Sequence, residues 1–193
     1  MKKIQLAFLL LLFAGSAYAQ FEDTKFVIGG AADYNSGLFP NASSIGISPT
    51  LAKTINSNAL IGLSFNYFAS VAKYDGSDAK QIQSGIGAGI FYQHYYKLSD
   101  KVFFNWQAMA GLNLIDYETE DSSAESKYYN IRWVPGFGWQ VMEKLMLSAS
   151  LGGISYYHRD GSSESPGFSD SSRENQLSIR FNNPQFGFTY LIN

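Results

Sequence analysis

The chain of 193 residues contains no cysteine. Disulfide staples, thiolate metal sites and a lipid-anchored lipoprotein are therefore excluded together. Charge is sparse and slightly acidic, with 14 Lys and Arg against 16 Asp and Glu. No basic surface is available to suggest nucleic acid as a partner. Histidine occurs only twice, at His94 and His158, and no phosphate loop, metal-ligand spacing or nucleotide fingerprint is present, so no cofactor and no metal site are expected. The longest apolar run, Leu6 to Ala14, is too short for a membrane helix, which takes about 20 residues.

What is present begins with "MKKIQLAFLLLLFAGSAYAQ". Lys2 and Lys3, the apolar run and Ala17-Tyr18-Ala19 form a charged n-region, an h-region and an A-x-A cleavage site, the layout of a Sec-type signal peptide. Residues 1–19 are read as that signal and 20–193 as one exported domain. Losing Lys2 and Lys3 leaves 14 − 2 = 12 basic against 16 acidic residues, a net charge of −4.

The domain reads as all-β. Aromatic residues make up 16% of the chain and glycine is abundant, which favours strands and tight turns. Eight strand-like segments alternate with period two, at 25–34, 44–53, 59–72, 81–97, 102–118, 127–141, 145–158 and 175–192. Their connections alternate too. Short ones (54–58, 99–101, 142–144) fall at one end with both termini; longer polar ones (35–42, 73–80, 119–126, 159–174) fall at the other. This is the layout of an eight-stranded antiparallel up-and-down transmembrane β-barrel.

The strand faces agree with that layout. One parity of 59–71 reads Ile61, Leu63, Phe65, Tyr67, Ala69, Val71, and the other holds Gly62, Ser64, Asn66 and Ser70. A secreted ligand-carrying barrel places charge on its outer face; here charge avoids strand centres, as it does where the outside meets lipid. Tyr92, Tyr95, Tyr96, Phe103, Phe104 and Trp139 near the short turns form one expected interfacial girdle. Tyr67, Tyr74, Tyr128, Tyr129, Trp133, Tyr156 and Tyr157 near the loops form the other.

The stretches "ISPTLAKTINSNALIGLSFNYF", "GIGAGIFYQHYYKLSDKVFFNWQAMAGLNL", "WVPGFGWQVMEKLMLSASLGG" and "NNPQFGFTYLIN" resemble the outer-membrane β-barrel (porin-like) domain family of Gram-negative bacteria. The resemblance implies an integral outer-membrane location with both mature termini periplasmic, and outer-membrane lipids and the barrel-assembly machinery as partners. Phe186, Phe188 and Tyr190 match the terminal aromatic alternation of the family's assembly signal, although this chain ends Ile192-Asn193.

Three expectations concern individual residues. Pro49, Pro135 and Pro184 lie in strands running toward the short turns; proline cannot donate to a ladder, so each is expected at a bulge. Asp33, Arg132 and Arg180 fall on the polar parity and are expected to pair as a plug in a narrow lumen. The stretch "YYHRDGSSES" gathers His158, Asp160, Ser162, Ser163 and Glu164, the residue types of a hydrolytic triad, but a solvated loop is the commoner meaning and no catalytic residue is assigned. The chain reads as a monomeric, non-enzymatic surface protein that meets an extracellular partner through its loops. A narrow porin-like channel and a lipid-modifying enzyme are the alternatives.

Overall fold

A computed structural model describes residues 24–35, 42–73, 80–118, 123–150, 152–165, 168–181 and 184–192. The segment read as a signal peptide lies outside them. The strands are β1 (Phe26–Asn35), β2 (Ala42–Asn56), β3 (Ala59–Lys73), β4 (Lys80–Lys97), β5 (Val102–Glu118), β6 (Ser123–Met142), β7 (Leu145–Ser150), β8 (Gly153–Ser165), β9 (Phe168–Arg180) and β10 (Gln185–Ile192). Each pairs antiparallel with its neighbour in sequence from β1 to β7. β7 and β8 lie successively along β6, and β10 and β9 lie successively along β7 and β8. They are the halves of a seventh and an eighth strand. β10 pairs with β1 from Phe26↔Ile192 to Ala32↔Phe186, closing a ring of eight.

The ladder spirals. From Gly29, successive partners are Thr50, Ser64, Gly89, Gly111, Asn130, Tyr157 and Gln176. The direct partner of Gly29 on the eighth strand is Thr189, which lies 189 − 176 = 13 residues further along. Three of those residues are the extra ones at the breaks in the seventh and eighth strands described below, and the remaining 13 − 3 = 10 are the stagger that tilts the strands of a closed barrel. A row therefore climbs toward the loop end as it goes round. β8 continues to Ser165, eight residues above its row position (165 − 157), whereas β1 ends at Asn35, six above Gly29 (35 − 29). The wall is tallest at β8–β9.

Burial follows the pleat. On β3, Ile61, Leu63, Phe65, Tyr67 and Val71 face outward and are exposed, while the alternate residues face the interior. At ~3.4 Å per residue and a ~40° tilt, Ile61 to Val71 spans roughly 26 Å along the axis, the height of an outer-membrane barrel's apolar band. The outward face turns polar at Asp116, Lys127, His158 and Asn175, immediately beyond Leu114, Tyr129, Tyr156 and Leu177.

Three expectations are corrected here. The described parts of the stretches 119–126 and 159–174, namely 123–126, 159–165 and 168–174, are strand rather than loop: pairing runs to Glu118↔Ser123 and Ser165↔Phe168. Polar residues on both faces hid these strands, because periodicity in hydrophobicity is what marks a strand in a sequence. Second, four residues assigned to the girdles face the interior. Tyr95 and Phe103 are buried inside the short-turn end, and Tyr128 and Tyr157 line the lumen. Tyr74 lies outside the described residues.

Third, the prolines do not behave alike. Pro49 sits in an unbroken register, opposite Gly30 on β1, with no bulge in β2 at that point. Pro135 pairs in register with Trp106, and the irregularity is on the strand facing its other edge. Between the pairs Trp133↔Ile154 and Gly136↔Ser150, β6 has two residues and its partner three. Pro135 has no N–H to donate to a ladder, and Gly152 (φ 111°) lies in the longer segment opposite. Pro184 adjoins the largest break. Four residues separate Arg180 from Gln185 where two separate Ser150 from Gly153, so the eighth strand carries two more. Leu177, Ile179 and Phe181 before the break and Phe186, Phe188 and Tyr190 after it are all exposed on the outside.

Candidate functional site: the lumen

The lumen has two zones of different chemistry. At the short-turn end Val27 (β1), Ala52 (β2), Leu60 (β3), Phe91 and Tyr95 (β4), Phe103 (β5), Met146 (β7) and Leu191 (β10) pack into one buried cluster. Leu60 and Met146 are each only 1% exposed. These residues lie on the parity that is otherwise polar. "QFGFTYLI" contained the signal: its inward face reads Gln185, Gly187, Thr189 and then Leu191.

Above the cluster is a cavity of about 580 Å³ lined by both polar and apolar groups, whose lining reaches Tyr117, Tyr128, Tyr157 and Gln176 toward the loops. Gln176, inward-facing at that end, is exposed to solvent, so the cavity opens there. Across the lower wall Asn66 Nδ2 donates to Asn113 Oδ1 at 2.8 Å. The two lie on β3 and β5 in one row with Gly87 of β4, and a Cβ on Gly87 would overlap Asn113 Oδ1. Glycine at that position lets the amides meet over the strand between them.

Asp33, Arg132 and Arg180 all line this cavity. They do not pair. Among the described residues no carboxylate oxygen lies within 4.0 Å of Arg132 or Arg180. Asp33 instead accepts from Gln185 Nε2 at 3.5 Å, with its carboxylate laid over Gly46, where a Cβ would stand 2.6 Å from Oδ1. The break at Phe181–Pro184 displaces Arg180 from the Gln185 row that faces Asp33, and that separation is why proximity on adjacent strands did not become an ion pair. A third arginine, Arg159 from the stretch read as a loop, is held by neighbouring side chains. Its Nε and Nη2 donate to Ser126 Oγ at 3.2 and 3.1 Å, and its guanidinium stacks over Tyr117 and Tyr128, themselves joined by a 2.8 Å hydroxyl contact.

Of the hydrolytic residue types, His158 and Asp160 have described side chains. His158 and Asp160 lie on the outer face, with Nε2–Oδ2 at 3.6 Å, and Nδ1 is 2.8 Å from Asn175 Oδ1. The side chains of Ser162, Ser163 and Glu164 lie outside those described. Asp160 is held by Arg173 Nε at 3.0 Å. His94 contacts Tyr92 OH and Asn58 Nδ2 and stacks with Trp106. No group of three metal-ligating side chains occurs among the described residues.

No family model matches the chain, and no curated protein matches it. Among solved structures it is similar to Neisserial surface protein A (NspA), with 15% identity and a TM-score of 0.50 over 86% of this chain and 96% of that one. At that identity the likeness concerns the fold, an eight-stranded antiparallel up-and-down barrel of the outer-membrane type.

Proposed function

We propose that the protein is an integral outer-membrane barrel, non-enzymatic and monomeric, that acts at the cell surface through its loop end. The observation that supports this reading is the division of the barrel along its axis. An apolar cluster stops the lumen at the short turns, whereas polar walls project beyond the apolar band at the other end. A barrel stopped in this way is a poor conduit and a rigid pedestal. In this reading the short turns and both mature termini are periplasmic, and Phe186, Phe188 and Tyr190 present the aromatic face by which the assembly machinery takes up the last strand.

Two measurements test the reading together. Membrane fractionation, with gel mobility before and after boiling, should give a heat-modifiable band confined to the outer membrane. Planar-bilayer recordings of the same preparation should show no steady conductance. Steady open-channel current would favour the narrow-pore alternative. For the enzymatic alternative, His158→Ala should leave the acylation pattern of outer-membrane lipids unchanged; loss of an acyl modification would support lipid modification.

A further inference from the structure

We propose that the lumen wall built by β6, β8 and β9 is a binding site for a small oxyanion, a carboxylate or phosphate group carried by a hydrophilic solute that enters from the loop end.

The inference starts from the contrast among three arginines. Arg159 is occupied by a hydroxyl and two aromatic rings, which is how a guanidinium serves a purely structural purpose. Arg132 and Arg180 line the cavity and have no such partners among the described residues. The ladder brings these two onto one patch. Arg132 pairs with Ser155, which pairs with Ser178, and Arg180 stands two residues from Ser178 on the same face. With strands ~4.8 Å apart and ~3.4 Å per residue, their Cα atoms are roughly 12 Å apart, and both side chains line the same cavity.

The surrounding groups suit an oxyanion. Ser155 and Ser178 are buried between the arginines and offer hydroxyl donors. Asn130, on the same face as Arg132 and two residues above it, is 6% exposed; its Oδ1 has no hydrogen-bond partner, but as an acceptor it does not contact an oxyanion. Lower in the cavity, Asn105 is 5% exposed and its Nδ2 is likewise unpartnered, a donor facing inward. A buried donor left without a partner is uncommon, and Asn105 Nδ2 is one on this cavity. Charge points the same way. The charged lining consists of two guanidiniums and one carboxylate, 2 − 1 = +1, in a chain whose net charge is negative. Asp33, the one carboxylate, is held aside by Gln185 and by the space over Gly46. A low-dielectric cup closed at one end concentrates that field on whatever enters it. Paired guanidinium forks with hydroxyl donors between them match the geometry of carboxylate and phosphate oxygens.

The test uses the folded protein in detergent micelles, with the arginine Nε–Hε NMR resonances followed at constant ionic strength. Sodium phosphate and disodium succinate are titrated separately, against sodium chloride. Saturable shifts with phosphate, succinate or both are the expected result, and the anion that saturates identifies which oxyanion the site takes. Arg132→Gln and Arg180→Gln should each weaken binding by about tenfold or more, as expected for loss of a charge-assisted hydrogen bond. Arg173→Gln, on the outer face, should leave binding unchanged. Arg132→Lys keeps the charge and the fold but loses the fork, and should bind more weakly than the unmutated protein. Heat-modifiable gel mobility verifies that each variant is folded. Shifts that never saturate, that chloride reproduces, or that persist in the double Arg132→Gln/Arg180→Gln variant would overturn the site.

Discussion

At the scale of single residues, the barrel depends on side chains that are absent as much as on those present. Gly87 leaves open the path along which Asn66 and Asn113 hydrogen-bond. Gly87→Val should therefore displace both amides and destabilise the folded barrel by about 1–3 kcal/mol, as overpacking does elsewhere. Urea unfolding in lipid vesicles measures this, and an unchanged midpoint would mean the bridge has little influence. Gly152 has a different task, since its φ of 111° is a conformation that side chains resist. Gly152→Ala should cost about 1–3 kcal/mol in the same assay. The charged pair on the outer surface is a useful contrast. Asp160→Asn removes the partner of Arg173, whose side chain is 84% exposed, and should change stability by no more than about 1 kcal/mol.

At the scale of elements, the β8–β9 hairpin is where the sequence and the structure diverge most. Hydrogen exchange distinguishes the two descriptions: amides of Tyr156–Gly161 should exchange slowly as ladder donors, whereas a loop would exchange them at once. The central strands were legible because lipid demands an uninterrupted apolar face, which makes the period-two pattern of "ALIGLSFNYF" unmistakable. Beyond the apolar band that demand ends. Arg159, Asp160 and Gly161 alternate between lumen and water, and both faces are polar, so the residues carry no periodic signal although the ladder continues. The same limit hid the arginine stack, which needs Tyr117, Tyr128 and Arg159 from three strands in one register. Asp33, Arg132 and Arg180 were traceable to the lumen from parity alone. Their heights were not, because two extra residues between Arg180 and Gln185 shift the eighth strand by an amount that parity does not count.

At the scale of the whole molecule, the apolar cluster accounts for a lumen that ends partway. Phe103→Ala removes a large buried ring and should lower stability by about 3–5 kcal/mol. In planar bilayers the folded fraction of that variant should leak ions where the unmutated protein does not. The composition of the cluster also has a temporal meaning. Val27 comes from the first strand and Leu191 from the last, with the other contributors spread through the sheet between them. No partly built sheet can assemble it, because its two outermost members meet only when β10 reaches β1. The packing of Val27 against Leu191 thus arrives in a late step, and must be given up before the seam between the first and last strands can part. The cluster is a clasp: it makes the finished barrel slow to open, and it leaves a chain truncated before Leu191 with an unfastened edge.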